Sequence, residues 1–259
     1  MSHFTKIIVG AAAAALLLAG CTTTSGENPL NLVKPGTLTV CSEPPYPPFE
    51  YEDPNSPSGY SGFDIDLMAA IADGLNLKLV ISVTDFDALQ SGAALAANTC
   101  DVGASAITIT ADRKKNIDFA DPYYDSLQSL LIPASSPVKT LADMAGMRIG
   151  VQTGTTGKMY AEANAPQTAT LVSFPGDGEM WLALKAGQVD ALLQDLPVNA
   201  DHVAQDPSYV IIERYQTDEQ YGFAFAKDKK PELLKAVNAQ LKTLRSNGTY
   251  DTIYKKYFG

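Results

Sequence analysis

Apolar residues recur along the chain at two periods, and stretches of the two kinds alternate. Thr37–Ser42 is a short β-branched and apolar run after Pro35-Gly36 and reads as a strand. Phe63, Leu67, Ala70 and Ile71 fall one turn apart, so the spacing predicts a helix over 63–75 that closes near Gly74. Asp64 and Asp66 sit in its first turn, where the helix dipole favours anions. A strand over 78–83, a second helix over 89–97 and a third strand over 102–109 follow. Strands separated by helices in this order predict an α/β sheet.

The pattern then restarts. A strand over 148–151, a turn over 152–157, a helix over 158–164, a strand over 171–174, a helix over 178–186 and a strand over 189–193 form a second unit. Trp181, Leu182 and Leu184 are expected to face its core. Two apolar segments, 129–133 and 220–225, flank this unit and read as crossing strands. The chain closes with a helix over 232–246, its Leu233, Val237, Leu241 and Leu244 at helical spacing and Gly248 just past its end. A short last helix carries Tyr250, Ile253 and Tyr257 and needs the first unit to pack on. The expected fold is therefore α/β in two lobes. Residues 37–130 and 224–259 make the first, 131–223 make the inserted second, and a ligand cleft lies between them.

The first residues follow a different logic. Lys6 precedes an apolar run over 7–18, which is shorter than the roughly 20 residues that span a bilayer. Leu18-Ala19-Gly20-Cys21 comes next and resembles the lipobox of bacterial lipoproteins. Residues 1–20 are then an export signal, Cys21 carries the lipid, and 21–36, rich in Thr, Ser, Gly, Asn and Pro, tethers it to the body. An ordinary signal peptide with an incidental Cys and a buried helix are the other readings.

Composition narrows the partners. Of 259 residues 46% are hydrophobic and 19% charged, too apolar for a disordered chain. The formal net charge is -10, with 19 Lys+Arg against 29 Asp+Glu. That balance argues against nucleic acid as a partner, and against electrostatic attachment to an anionic membrane. Export puts Cys41 and Cys100 in an oxidising compartment, where a disulfide is allowed and two buried thiols are equally compatible. His3 and His202 add no metal-ligand spacing, and no metal or cofactor is expected.

Four pieces carry candidate chemistry, each at the end of a predicted strand. Thr108, Thr110 and Arg113 suit a carboxylate through hydroxyls and a bidentate guanidinium; alternatively Thr110 caps a helix and Arg113 is a solvated charge. Gln152–Gly157 offers bare N–H groups at a helix start, or is a plain turn. Asp195 can pair with an ammonium, or cap the helix that Pro197 opens. Glu43–Glu50 is a proline-stiffened loop in which Tyr46 makes an aromatic wall and Glu43 a negative end, with Phe86 opposite; core packing is the other use of the aromatics. Together they describe a receptor for a zwitterion.

These residues resemble the family 3 extracellular solute-binding proteins of ABC importers, the polar amino-acid binders. The likeness runs through LTVCSEPPYPPFE (38–50), GFDIDLMAAIA (62–72), DVGASAITITADRKKNIDFAD (101–121), IGVQTGTT (149–156), VDALLQDLP (189–197) and LKTLRSNGTYDTIYKKYFG (241–259). It implies the type II periplasmic-binding-protein fold and closure of the lobes on the ligand. It also implies that Arg113 with the Thr155 and Thr156 amides holds the α-carboxylate. Asp195, Thr108 and the Ser105 carbonyl would hold the α-ammonium, with Tyr46 and Phe86 around the side chain and Glu43 at its tip. Position 152 is Gln where some members carry Lys. The segment 86–101 is about two residues longer than is common. Glu43 points to a basic or amide ligand: arginine, lysine, histidine, ornithine or glutamine. The implied partners are that amino acid, ABC permease subunits and, through the lipid alone, the membrane, with the receptor a monomer at the outer face of the cytoplasmic membrane or in the periplasm. A dehydratase-like enzyme on the same fold and a ligand-sensor module are the alternatives.

Overall fold

The computed structural model of the chain describes Met1 and residues 28–259. The signal segment and Cys21 lie outside the described residues. Among those described, no helix is long and apolar enough to cross a membrane.

The first lobe is built on β1 (Thr37–Ser42), whose side chains are almost all buried. β1 pairs in parallel with β4 (Lys78–Val83) and with the short β5 (Val102–Gly103). A hairpin, β2 (Tyr51–Glu52) and β3 (Tyr60–Ser61), leads into helix α1 (Phe63–Gly74). Gly62, at φ 131°, starts that helix against the Phe49 carbonyl, 2.1 Å from where a Cβ would stand, so only glycine fits. β6 (Ile117–Phe119) and β12 (Ala224–Ala226) complete the sheet in the order β4-β1-β5-β12-β6.

The second lobe has the order β11-β7-β10-β8-β9. Its members are β7 (Tyr124–Pro133), β8 (Arg148–Gln152), β9 (Thr170–Phe174), β10 (Ala191–Asp195) and β11 (Tyr209–Tyr221). β8, β9 and β10 are parallel, and β7 runs antiparallel to both β10 and β11. Helices α4 (Thr156–Asn164), α5 (Asp177–Lys185) and α6 (Leu196–Gln205) cover it. β7 and β11 also join the lobes, since Tyr124 pairs with Tyr221 beside the first lobe while Leu130 and Leu131 pair with β10. The crossing on the first strand thus lies at about 124–128. That is earlier than the 129–133 read from the sequence, because Leu130, Leu131 and Ile132 are buried in the second lobe's core.

Local details differ from the sequence reading for physical reasons. The second helix starts at α2 (Phe86–Gln90) and breaks before α3 (Ala93–Ala96), because Gly92 adopts φ 83° against Ile117. The third strand ends at Gly103, and Ala104–Ile107 form a loop in which Ala106 takes φ 46°. Met180, Ala183 and Leu184 face the core of α5, while Leu182 is 63% exposed and Trp181 stacks on His202. The part of the tether from 28 to 36 is docked rather than free. Leu32 joins the first core, the Val33 N–H donates to Asp101, and Lys230 donates to the Asn31 carbonyl.

Helices α7 (Pro231–Ser246) and α8 (Thr249–Phe258) return to the first lobe. Phe258 packs edge-on against Phe63 at 5.1 Å, and the Tyr257 hydroxyl donates to Asp66 at 2.7 Å. Cys41 and Cys100 are joined by a disulfide, with Cα atoms 5.7 Å apart. Next to it Asp101, fully buried, accepts the Lys230 ammonium at 2.8 Å and the Thr39 N–H at 2.9 Å.

Candidate functional site

The ends of β1, β8 and β10 and the loop after β5 converge between the lobes. Glu43 directly follows β1. Its carboxylate accepts the Phe86 N–H at 2.9 Å and, across the cleft, the Gln152 side-chain amide at 2.5 Å. Burial pushes the Glu43 carboxyl up to about 7, against the two donors.

Arg113 is only 4% exposed, although it lies in an exposed 3-10 turn, Arg113–Lys115. Its N–H bonds the Thr110 hydroxyl at 3.1 Å, so Thr110 does anchor the turn, yet the guanidinium is not a solvated charge. The guanidinium donates to the Thr108 carbonyl at 2.7 Å and across the cleft to the Gly154 carbonyl at 2.9 Å. It lies 5.3 Å above the Phe86 ring, an attractive cation–π distance. Burial lowers its pKa to about 10, so it stays cationic at neutral pH.

Asp195 ends β10. It accepts the hydroxyls of Tyr46 at 2.9 Å and Tyr221 at 2.5 Å on one oxygen, and the Gln128 amide at 2.5 Å on the other. Burial, and then the nearby charge of Glu219, raise its pKa to about 7, against these donors. Thr155 caps α4, its hydroxyl accepting the Lys158 N–H at 3.1 Å. The Thr156 and Thr108 hydroxyls, one from each lobe, lie 3.4 Å apart. The Ser105 hydroxyl donates to Glu50 and accepts the Glu43 N–H at 3.2 Å. Glu43, Tyr46, Phe86, Ser105, Thr108, Arg113, Gln152, Thr155, Thr156 and Asp195 all line one cavity.

Some of the site was not read from the sequence. Ala106 also lines the cavity. Behind the walls, Asp64 accepts the Ala106 N–H at 2.9 Å and the Tyr123 hydroxyl at 2.6 Å, so a first-turn acid is a buried anchor for the loop rather than a solvated dipole partner. Gln128 and Glu219 stand behind Thr108, Thr156 and Asp195. A period-two reading of 217–221 was the available signal, because Glu219 shares a strand face with buried Tyr221.

Residues 38–259 match the model of the bacterial extracellular solute-binding proteins, family 3. The chain belongs to this family. Its relatives include the glutamine-binding protein GlnH of an ABC transporter from Bacillus subtilis (strain 168), 34% identical over 217 residues, covering 81% of this chain and 76% of that protein. A probable histidine-binding protein of Neisseria gonorrhoeae is 33% identical over 263 residues, covering 97% of this chain and 94% of the other. Among solved structures, an ancestral arginine-binding protein bound to arginine superposes with a TM-score of 0.78 at 36% identity, over 86% of this chain and 99% of that one. An ancestral amino acid-binding protein that is a precursor of cyclohexadienyl dehydratase gives 0.78 at 35%, over 86% and 96%. These neighbours have the two-lobed fold expected for type II periplasmic binding proteins.

The buried acids give this solute-binding protein an unusual pH response. Glu43, Asp64 and Asp195 are raised to about 7 in the folded protein, mainly by burial, from ordinary values near 4. Between about pH 4 and 7 the folded state therefore holds more protons than the unfolded chain, so stability is present at the acid end and lost as pH rises through 7. The melting temperature of the ligand-free protein is expected to rise as pH falls from 8 to 5. A flat or opposite slope in a calorimetric pH series refutes this. Below about pH 4 the trend reverses, because surface acids such as Asp143 and Asp190 are held low by hydrogen bonds.

Proposed function

We propose that this family 3 protein is an exported, monomeric receptor, lipid-anchored through Cys21 at the outer face of the cytoplasmic membrane or in the periplasm. It captures a free amino acid with a basic or amide side chain and delivers it to an ABC permease. The relatives named above support this as binders of glutamine and histidine and, in one solved structure, of arginine. The observation that carries it is the division of charge around the cavity. Among the described residues that line the cavity, Arg113 alone supplies a cation for an α-carboxylate, and Asp195 lies among its hydroxyl donors to meet an α-ammonium. Glu43, held by the Phe86 N–H and the Gln152 amide while Asp195 is held by Tyr46 and Tyr221, is left for another part of the ligand. A zwitterion's own charges cancel, which leaves Glu43 to be matched by a cation or an amide donor at the side-chain tip. An acidic side chain would be repelled.

The bonds from Glu43 to Gln152, from Arg113 to Gly154 and from Tyr46 to Asp195 all join the lobes. Ligand entry requires them to open, by bending of β7 and β11, and closure re-forms the cavity around the ligand. The same groups account for the cavity without a catalytic step. His202, the histidine an enzyme reading would enlist, is buried against Asp177 at 2.9 Å and does not line the cavity.

Calorimetry against the twenty amino acids and ornithine tests the receptor reading. Arginine, histidine, lysine, ornithine or glutamine is expected to bind at micromolar or better affinity, and no binding below about 100 µM defeats it. Glu43→Gln tests the side-chain assignment. Arginine is expected to lose about tenfold or more through the missing charge, and glutamine only a few-fold. Equal losses would move the side-chain tip elsewhere.

A further inference from the structure

Glu219 does not line the cavity, yet it controls two residues that do. It lies on β11, where pairing with β7 shifts register between Tyr215 and Glu219 and Asp218 takes φ 51°. On this strand Asp218 and Gln220 are exposed and Glu219 faces inward, at 9% exposure. One oxygen of Glu219 accepts the Thr108 hydroxyl at 3.0 Å and the Thr156 hydroxyl at 2.9 Å. The Gln128 side-chain nitrogen reaches Glu219 at 3.1 and 3.2 Å and Asp195 at 2.5 Å.

The proton count then decides what the ligand meets. An ionised carboxylate only accepts, and a hydroxyl has a single proton. Thr108 and Thr156 both spend that proton on Glu219 and keep only lone pairs, which on Thr156 also accept from Gln128 at 3.3 Å. Gln128 has two amide protons: one goes to Asp195, and the other is shared between Glu219 and the Thr156 hydroxyl, which accepts it at 3.3 Å. Turning its amide over would set its oxygen against Asp195 and Glu219, so the orientation is determined. This wall therefore offers acceptors beside Asp195 and no hydroxyl proton.

We propose that Glu219, from the strand that joins the lobes, is a positioning residue that holds Thr108 and Thr156 as hydrogen-bond acceptors and thereby makes the cavity select a ligand carrying a primary ammonium at its α-carbon. The proposal rests on the amino-acid receptor reading and adds a determinant to it. A ligand with only hydrogen at that position leaves the oriented lone pairs and Asp195 unmatched, which is the costly case for buried polar groups.

The test compares L-arginine with its deamino analogue, 5-guanidinopentanoic acid, and L-glutamine with glutaramic acid, by calorimetry on the full mature protein. The wild type is expected to prefer each amino acid by at least a hundredfold. In Glu219→Gln the side-chain amide becomes a donor and pushes a hydroxyl proton back toward the cavity. The amino acid is then expected to lose tenfold or more, the deamino analogue less than threefold, and the preference shrinks accordingly. Glu219→Asp, which keeps the acceptor, is expected to retain most of the preference. If both ligands weaken equally in Glu219→Gln, or the preference is unchanged, Glu219 is structural and the proposal fails while the receptor reading stands. If the wild type binds neither arginine nor glutamine nor any other amino acid, the receptor reading fails and takes this proposal with it. Should Glu219→Gln not fold, as judged by its melting curve, Thr156→Val asks the same question from the partner side. A collapsed preference there supports the proposal and an unchanged one overturns it.

Discussion

Arg113→Ala is expected to abolish amino-acid binding and leave the protein folded. Removing one partner of a buried, hydrogen-bonded charge pair costs about 2–5 kcal/mol, so affinity is expected to fall by at least about thirtyfold. The real loss should lie beyond that floor. The guanidinium also bonds the carbonyls of Thr108 in one lobe and Gly154 in the other, so its loss weakens closure as well as ligand contact. It is, moreover, the cation that faces Asp195 and Glu219. The fold does not depend on it to the same degree, because Arg113 sits in a short turn still anchored by its backbone N–H on Thr110. Titration calorimetry with the tightest amino acid, beside a melting curve, checks both halves. Retained micromolar affinity would put the carboxylate site elsewhere. Arg113→Lys is expected to recover only part of the loss, since an ammonium keeps the charge but not the two-pronged geometry.

Removal of the Cys41–Cys100 bridge is expected to bring a large loss of stability. The bridge joins residues 59 apart in sequence. Closing a loop of that size in the unfolded chain corresponds to roughly 4 kcal/mol. For a chain of this length that is roughly a 10 °C fall in melting temperature. The double variant Cys41→Ala, Cys100→Ala, or the reduced wild type, should melt lower by that order, and an unchanged melting curve would mean the thiols are free in solution. Ligand affinity is expected to change only a few-fold. Glu43, next to β1, is still placed by the pairing of Cys41 with Gly103 and by the Asp101 N–H on the Thr39 carbonyl at 2.8 Å.

Particular residues mark how far the sequence could be read. The 63–74 helix was legible because Phe63, Leu67 and Ile71 repeat at its period and all three are buried. The α2–α3 break was not, because its Gly92 takes φ 83° where a side chain would meet Ile117 and Asn116, residues far along the chain. Leu182 looked like a core residue by type, yet the face of α5 that meets the sheet is set by Met180 and Leu184. The lining residues were legible as motifs at strand ends, helped by resemblance to a family. Gln128, Glu219, Glu50 and Asp64 were not. Each is a polar residue that bonds a lining residue from behind, and apart from the strand period at Glu219 nothing local distinguishes it from a solvated side chain.

The sequence by itself determined the alternation of strands and helices, the two-lobed α/β class, the export and lipidation signal as an expectation, and the residue types able to hold a zwitterion. Those follow from short-range periodicity and from chemistry carried within a few neighbouring residues. Only the tertiary structure decided that Cys41 meets Cys100, that Arg113 is buried rather than solvated, that residues 28–36 dock on the first lobe, and that a carboxylate from β11 reaches a threonine of each lobe. Burial and long-range hydrogen bonding depend on which distant segments come together. In this protein those same contacts set the charge state of the acids around the cavity and the direction of its hydroxyl protons.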